Sequence, residues 1–403
     1  MLNRAFVRWG IILGTTALLI RWLVSPEWIE RHYSRGFFPL LRSIWDTVVT
    51  SWFPVALLYL FLLVLLVRFV RAAYRWSRLS VRGKLFSFLG GLMGVTGWVV
   101  FTFLLVWGLN YGRIPVEDKL GLELAQPALE ELRELVKNNA AELAELRSRI
   151  ANNSDSTALS DSEFPADTEK QLRTALEKTL AYYNYPTVGA VRGRLLRPQG
   201  IFLRFGSAGL YFPWTGEGHI DAGLLLLQQP YTMTHELAHG YGFGDEGTCS
   251  FWAVLASYRL NDPTLIYAIR LGYWRRLAST WLRAEPEAYW TFRQTLPLGM
   301  QADLDAIAEN NDRYPDIMPR FRDAAYDQYL KAQGIPEGML NYSKVVSMVE
   351  AWRPGASAFV GSVELHEEIM LSSAVQNAEK SEQLPEDGRY VYEVYFAEWG
   401  EKT

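Results

Sequence analysis

Cysteine is almost absent from this 403-residue chain: Cys249 is the only one, so no intramolecular disulfide can form, a condition compatible with an exported domain. Net charge is equally sparse. At −4 it implies no strong electrostatic partner and no nucleic-acid face. Also missing is a small-x-small cleavage site after Val24, which argues against reading the first apolar run as a removed signal peptide. No fourth apolar run qualifies as a membrane span. The stretch from Leu265 to Trp281 includes Arg270, Arg275 and Arg276 and reads as a packed soluble helix.

What is abundant is apolar residues, 49% of the chain, and most of the excess precedes residue 113. Three stretches there, about 5–24, 47–67 and 85–110, are long enough to cross ~30 Å of hydrocarbon. The first requires Arg8 and Arg21 to snorkel towards opposite interfaces, with Trp9 and Trp22 as anchors. Between the second and third lie Arg68, Arg71, Arg75, Arg78, Arg82 and Lys84 with no acidic residue, which marks that segment as cytoplasmic. The amino terminus, with Arg4 and Arg8, is then cytoplasmic too, although the first outer loop also carries arginines. Everything from Arg113 onward lies on the far side, which for a bacterial inner membrane is the periplasm.

The spacing predicts a membrane domain over 1–113, a helical stalk and linker over 114–167, a mainly helical domain with a small β-sheet over 168–353, and an acidic extension over 354–403. Val116 to Ile150 is rich in Leu, Ala and Glu at three-to-four spacing, with a break near Pro127. Ala151 to Asp167 is polar and aperiodic, a loop or hinge. Short apolar runs punctuated by glycine, Gly200 to Phe205 and Leu210 to Pro213, read as strands joined by turns at 206–209 and 215–218. From Pro230 onward the pattern is mostly helical.

One helix in that region, about Pro230 to Tyr241, contains His235-Glu236-Leu237-Ala238-His239 and ends in Gly240, Gly242 and Gly244. Residues four apart share a helix face, so both imidazoles can reach one metal ion while Glu236 lies beside a water on that ion. Zinc in a hydrolytic site keeps three protein ligands and one position for water. Glu236 is placed to take that water's proton and pass it to a leaving amine. For the third ligand the nearest candidate is Glu246, with Asp245 its close rival and Glu285 and Glu287 further off. Both Asp245 and Glu246 also suit the first turn of a helix, where acids are favoured. The structural alternative to a metal site is a helix whose histidines are surface or capping residues.

Three further side chains are candidates for contact with substrate. Glu217 and His219, in Trp214-Thr215-Gly216-Glu217-Gly218-His219, either line a cleft or are turn residues on a sheet edge. An exposed edge strand there would bind an extended peptide through main-chain hydrogen bonds. Tyr342 either donates to a tetrahedral intermediate or opens a packed helix. Cys249, inside the helix from about Thr248 to Arg259, either ligates a metal or is a small buried thiol.

The span exit Trp107 to Arg113, the Gly209 to Glu217 segment, the His235 to His239 motif and the helix opening Tyr342-Ser343-Lys344-Val345-Val346 together resemble a bacterial family of membrane-anchored zinc metallopeptidases catalogued as a domain of unknown function. The resemblance covers roughly Trp107 to Trp352. It implies a gluzincin-like arrangement: His235 and His239 as ligands, Glu236 as catalytic base and a glutamate on the next helix as third ligand. After the motif the family pattern has an Asp-Glu-Ala-Asn-Phe type of sequence. Here Asp245 to Phe251 departs from it, and an ungapped match places Thr248 at the expected glutamate. The combined expectation is three transmembrane helices followed by a mainly helical, zincin-like α+β domain that binds Zn2+ and hydrolyses a peptide or protein substrate by metal-activated water on the periplasmic side. The alternative is a membrane-anchored binding or scaffold protein that keeps the fold without turnover.

Overall fold

Helical runs of apolar residues open the chain. The structure, a computed structural model, describes residues 4–78, 80–151, 156–317, 319–335 and 344–353. Helix α1 (Arg4–Leu23) is followed by a continuous helical run made of α2 (Pro26–Trp28), a π-helical stretch (Ile29–Phe37) and α3 (Phe38–Val48). Then come α4 (Leu57–Ser77) and α5 (Val81–Val106). Among the described residues, three helical segments are long and apolar enough to cross a membrane: Arg4–Leu23, Leu57–Ser77 and Ser87–Val106. Helices α1 and α5 touch backbone to backbone at glycines. A methyl group on Gly14 would lie 2.7 Å from the Gly97 Cα, and one on Gly97 would overlap the Gly10 carbonyl. Small residues are what permit such an approach between spans.

The second span begins ten residues later than the Thr47 start that the uncharged run suggested. Arg42 and Asp46, just before the run, pair in the protein interior, and within it Thr50 is buried and bonds back to Asp46 while the Phe53 carbonyl accepts from Arg194. The chain then breaks at Phe53, which is extended, as a residue before proline tends to be. Because the span slides towards its carboxyl end, α4 incorporates Arg68, Arg71 and Arg75, all exposed and able to snorkel.

Beyond the spans come α6 (Val116–Leu120), α7 (Leu129–Ile150) and α8 (Thr168–Tyr182), then strands β1 (Arg192–Leu196), β2 (Gly209–Phe212) and β3 (Glu217–Asp221). They form a three-stranded sheet in the order β1-β3-β2, with β1 parallel and β2 antiparallel to β3. The expected strand at Gly200 to Phe205 is instead a turn, closed by a 3-10 segment and tied to Asp221, whose carboxylate accepts the Gly200, Phe202 and Leu203 amides. The expected turn at 215–218 runs into β3, the central strand.

The chain continues through α9 (Gln229–Gly240), α10 (Glu246–Ala256), α11 (Pro263–Ala284), α12 (Pro286–Arg293), α13 (Leu298–Asp312), α14 (Pro319–Ala332) and α15 (Lys344–Trp352). The protein is thus mainly helical with a small sheet.

Helix α7 is not a spacer. Its apolar stripe of Leu132, Val136, Ala140 and Leu143 is buried, the Trp274 indole of α11 donates to the Val136 carbonyl at 2.8 Å, and Arg147 pairs with Asp303 of α13 at 2.8 Å in the interior. The three-to-four periodicity of α7 is that of an amphipathic packing helix. The described residues up to Trp352 accordingly form one compact unit, without the boundaries expected near 113 and 167. The expected extension over 354–403 lies outside the described residues.

Candidate functional site

Pro230 in the first turn of α9 supplies a preset φ where a missing amide costs nothing. At the other end Gly242, at φ 88°, reverses the chain, and Phe243, wedged among the Tyr185 and Trp252 rings, anchors the turn. Asp245 then caps α10 by accepting the Thr248 amide at 2.7 Å. Lys344 of α15 holds Asp245 at 3.1 Å and Glu117 at 2.6 Å. The rival third ligand is therefore a capping residue, and Glu246, one position on, is delivered to the motif helix.

His235, His239 and Glu246 converge. His235 Nε2 lies 3.1 Å from His239 Nε2 and 3.0 Å from Glu246 Oε2, and His239 Nε2 lies 3.4 Å from the same oxygen. Ligand atoms ~2.0 Å from a tetrahedral zinc would be separated by about 3.3 Å along each edge, so these three distances fit such an ion. The outward nitrogens are engaged: His235 Nδ1 with Ser250 Oγ at 3.1 Å and His239 Nδ1 with the Phe243 carbonyl at 2.7 Å. Partners of that kind leave the Nε2 lone pairs facing the centre. Among the described residues this is the one group of three or more His, Cys, Asp or Glu side chains arranged to hold a metal ion. Thr248 is absent from it, as are Asp245, Glu285 and Glu287. Glu285 pairs with Arg133, and Glu287 is exposed.

Electrostatics separate the two carboxylates. Burial alone would raise Glu246, but His239 and His235 hold it well below the ordinary carboxylate range. Burial depresses His235, which keeps it neutral. Glu236 has no such cation in contact, so burial pushes it up to about 8, opposed by His239 and by a backbone hydrogen bond from Tyr211. Its Oε2 is buried with no hydrogen-bond partner among the described residues. A methyl on Gly209 of β2 would stand 2.8 Å from Glu236 Oε1, and one on Gly218 of β3 would stand 2.7 Å from its Cβ. Only glycines let the sheet close over the Glu236 side chain.

The sheet's alternation disposes of two further expectations. Gly218 and Ile220 face α9, so Glu217, His219 and Asp221 face away from it. Glu217 is fully buried between the Arg194 guanidinium at 3.1 Å and the Leu57 amide at 2.7 Å. It caps the start of α4 and does not line a cleft. His219 is likewise buried, with Nε2 3.6 Å from Glu217 and Nδ1 3.3 Å from the Leu210 carbonyl. Neither is a turn residue. Tyr342 lies outside the described residues. Cys249 is a buried thiol of α10 whose Sγ lies 3.3 Å from His239 Nδ1, behind the ligand and not in the ligand set.

Sequence reasoning missed the residues that the membrane end contributes. The Trp107 indole donates to the His239 carbonyl at 2.8 Å. The Tyr111 hydroxyl meets that of Tyr329 on α14 at 3.2 Å, and both phenols, raised first by burial, also feel the charge of Glu246. Glu30 holds Arg113 at 2.9 Å and Lys119 at 2.6 Å, and Arg113 in turn donates to the Gly242 carbonyl at 2.8 Å. Arg42 donates to the Gly216 carbonyl at 2.7 Å, and the Asp46 carboxylate accepts the Ala190 amide at 2.8 Å. The usable signal was charge in an apolar setting: Glu30, Arg42 and Asp46 lie between two spans, where such groups need partners.

Neither the curated proteins nor the solved structures include a match to this chain. A family model does match, over residues 33–349, which takes in most of the segment between the first two candidate spans, the second and third of them, the sheet and the His235 to Glu246 cluster. The chain therefore belongs to the family described as "Protein of unknown function (DUF3810)".

Proposed function

We propose that the protein is a membrane-anchored zinc-dependent peptidase whose centre is His235, His239 and Glu246 with Glu236 as general base. The observation that carries this reading is the convergence of three ligand atoms at tetrahedral-edge distances beside a buried carboxylate that has one oxygen without a hydrogen-bond partner among the described residues. Bound zinc would supply Lewis acidity towards a carbonyl oxygen and lower the pKa of water. Glu236 accepts a proton from the attacking water, whose oxygen forms a bond to the scissile carbonyl carbon. The C–N bond then breaks, the proton passes from Glu236 to the departing amine, and the water's oxygen remains in the new carboxyl group. Ser250 and the Phe243 carbonyl hold the imidazoles in the tautomer this requires.

The basic residues that end α4 support a cytoplasmic location for that end, and with it a metal centre on the opposite, periplasmic side of a bacterial inner membrane. The test is direct. Full-length protein purified in detergent is expected to bind one equivalent of zinc, and Glu236→Gln is expected to keep the metal and lose peptide cleavage. Protein that holds no zinc refutes the reading, and so does a Glu236→Gln variant that cleaves at the parental rate.

A further inference from the structure

We infer that the substrate is a polypeptide anchored in the same membrane, cut within a few residues of the bilayer. This rests on the peptidase reading and specifies its substrate class. All three spans end on the catalytic unit. The apolar part of α5 finishes at Val106, and the next residue, Trp107, bonds to the carbonyl of the ligand His239. The first amide of α4, Leu57, is capped by Glu217 of β3. Arg21, in the last turn of α1, donates to the Gln333 carbonyl just beyond α14, the helix that carries Tyr329 over the site. With one ligand's carbonyl bonded to the residue that leaves the bilayer, the metal centre sits at the lipid boundary.

A track joins the two. In the sheet order β1-β3-β2, strand β2 is an edge, with no strand partner on its outer side among the described residues. Its Gly209 end abuts Glu236. Its other end runs into the spans: Phe212 packs edge-on to Phe61 of α4 at 5.1 Å, and the Trp214 indole donates to Thr102 of α5 at 3.0 Å. Thr102 lies inside the apolar part of α5, four residues before its end and so ~6 Å below the boundary. From Trp214 to Gly209 is five residues, of which Gly209–Phe212 is extended strand, ~10 Å, and Pro213-Trp214 a turn. A polypeptide leaving the bilayer beside α4 and α5 and running along the edge of β2, where the Tyr211 amide bonds to Glu236, reaches Glu236 about five residues after its last buried residue.

The experiment uses the full-length zinc-bound protein in vesicles of phosphatidylethanolamine and phosphatidylglycerol. The probes are synthetic peptides with a span of about 20 Leu and Ala residues followed by a mixed-sequence polar segment, and the same polar segment without the span. Tethering raises effective concentration to the millimolar range, so the anchored form is expected to be cut about a hundred-fold faster at micromolar bulk concentration. Mass spectrometry is expected to place the cut about five residues from the span. Inserting Gly-Ser-Gly after the span should move the cut to a different bond at the same distance. Equal cutting of the soluble segment, or a cut that follows the sequence after insertion, overturns this inference and leaves the peptidase reading standing. If neither form is cut while zinc is stoichiometric, the peptidase reading falls and this inference with it.

Discussion

Ser250→Ala tests the centre without touching a ligand. The Ser250 hydroxyl is buried and lies 3.1 Å from His235 Nδ1. For His235 to offer its Nε2 lone pair to a metal, its proton must sit on Nδ1, where Ser250 accepts it. Without that acceptor, the metal-ready tautomer strands a buried N–H, a penalty of about 1–3 kcal/mol. The metal-free protein escapes by moving the proton to Nε2, which faces Glu246 at 3.0 Å. The penalty therefore falls on the metal-bound state alone. At 1.4 kcal/mol per tenfold it becomes a roughly 10- to 100-fold loss of zinc affinity, the range usual for outer partners of metal-bound histidines. Competition with a chromophoric chelator, on full-length protein in detergent, measures the affinity, and circular dichroism establishes that the fold persists. Affinity within about twofold of the parent, with the fold intact, would refute the orienting role of Ser250.

Further outcomes follow from packing and charge. Gly218→Ala forces the sheet off Glu236 and is expected to destabilise by about 1–3 kcal/mol, read as a lowered thermal midpoint; an unchanged midpoint contradicts the close approach. Asp303→Asn strands the buried Arg147 and should cost about 3–5 kcal/mol in denaturant titration, whereas a loss below about 1 kcal/mol would mean that α7 is a detachable spacer after all. Burial would raise Glu30, but Arg113 and Lys119 hold it down at about 2. Its carboxylate therefore contributes stability that is fully present above the unfolded value near 4.5 and is lost as pH falls towards 2. After allowance for solvent screening this is about 2 kcal/mol. Glu30→Gln should flatten that part of the acid unfolding profile, and a profile as steep as the parent's would assign the acid sensitivity elsewhere.

The helices and the histidine pair were legible in the sequence because each is written locally. The i, i+4 histidines need only a helix, and Pro230 and the glycines from 240 to 244 mark where it begins and ends. Glu246 could be ranked first but not separated from Asp245, because both residues suit the start of a helix; only the cap that Asp245 makes to Thr248 decides between them. Strand β3 was hidden because Thr215-Gly216-Glu217-Gly218 has turn composition, and its burial depends on β1 and β2 flanking it. The second span was misplaced because an uncharged run does not reveal which of its residues are already tied to packed protein, as Thr50 is to Asp46 and Phe53 to Arg194. Helix α7 looked like a stalk for a related reason: amphipathic periodicity gives the apolar face, but not the distant partner, α11, that covers it.

The bond from Trp107 to His239, taken with Arg42, Asp46 and Glu30 gripping the segments that flank the metal centre, makes the anchor part of the centre's own scaffold. Many anchored hydrolases can be clipped from their tether and go on working in solution. A cut after residue 112 here would strip the indole from His239, the carboxylate from Arg113 and the guanidinium from Gly216 in one stroke. On the peptidase reading, release from the anchor is therefore expected to abolish activity, not to free a working enzyme.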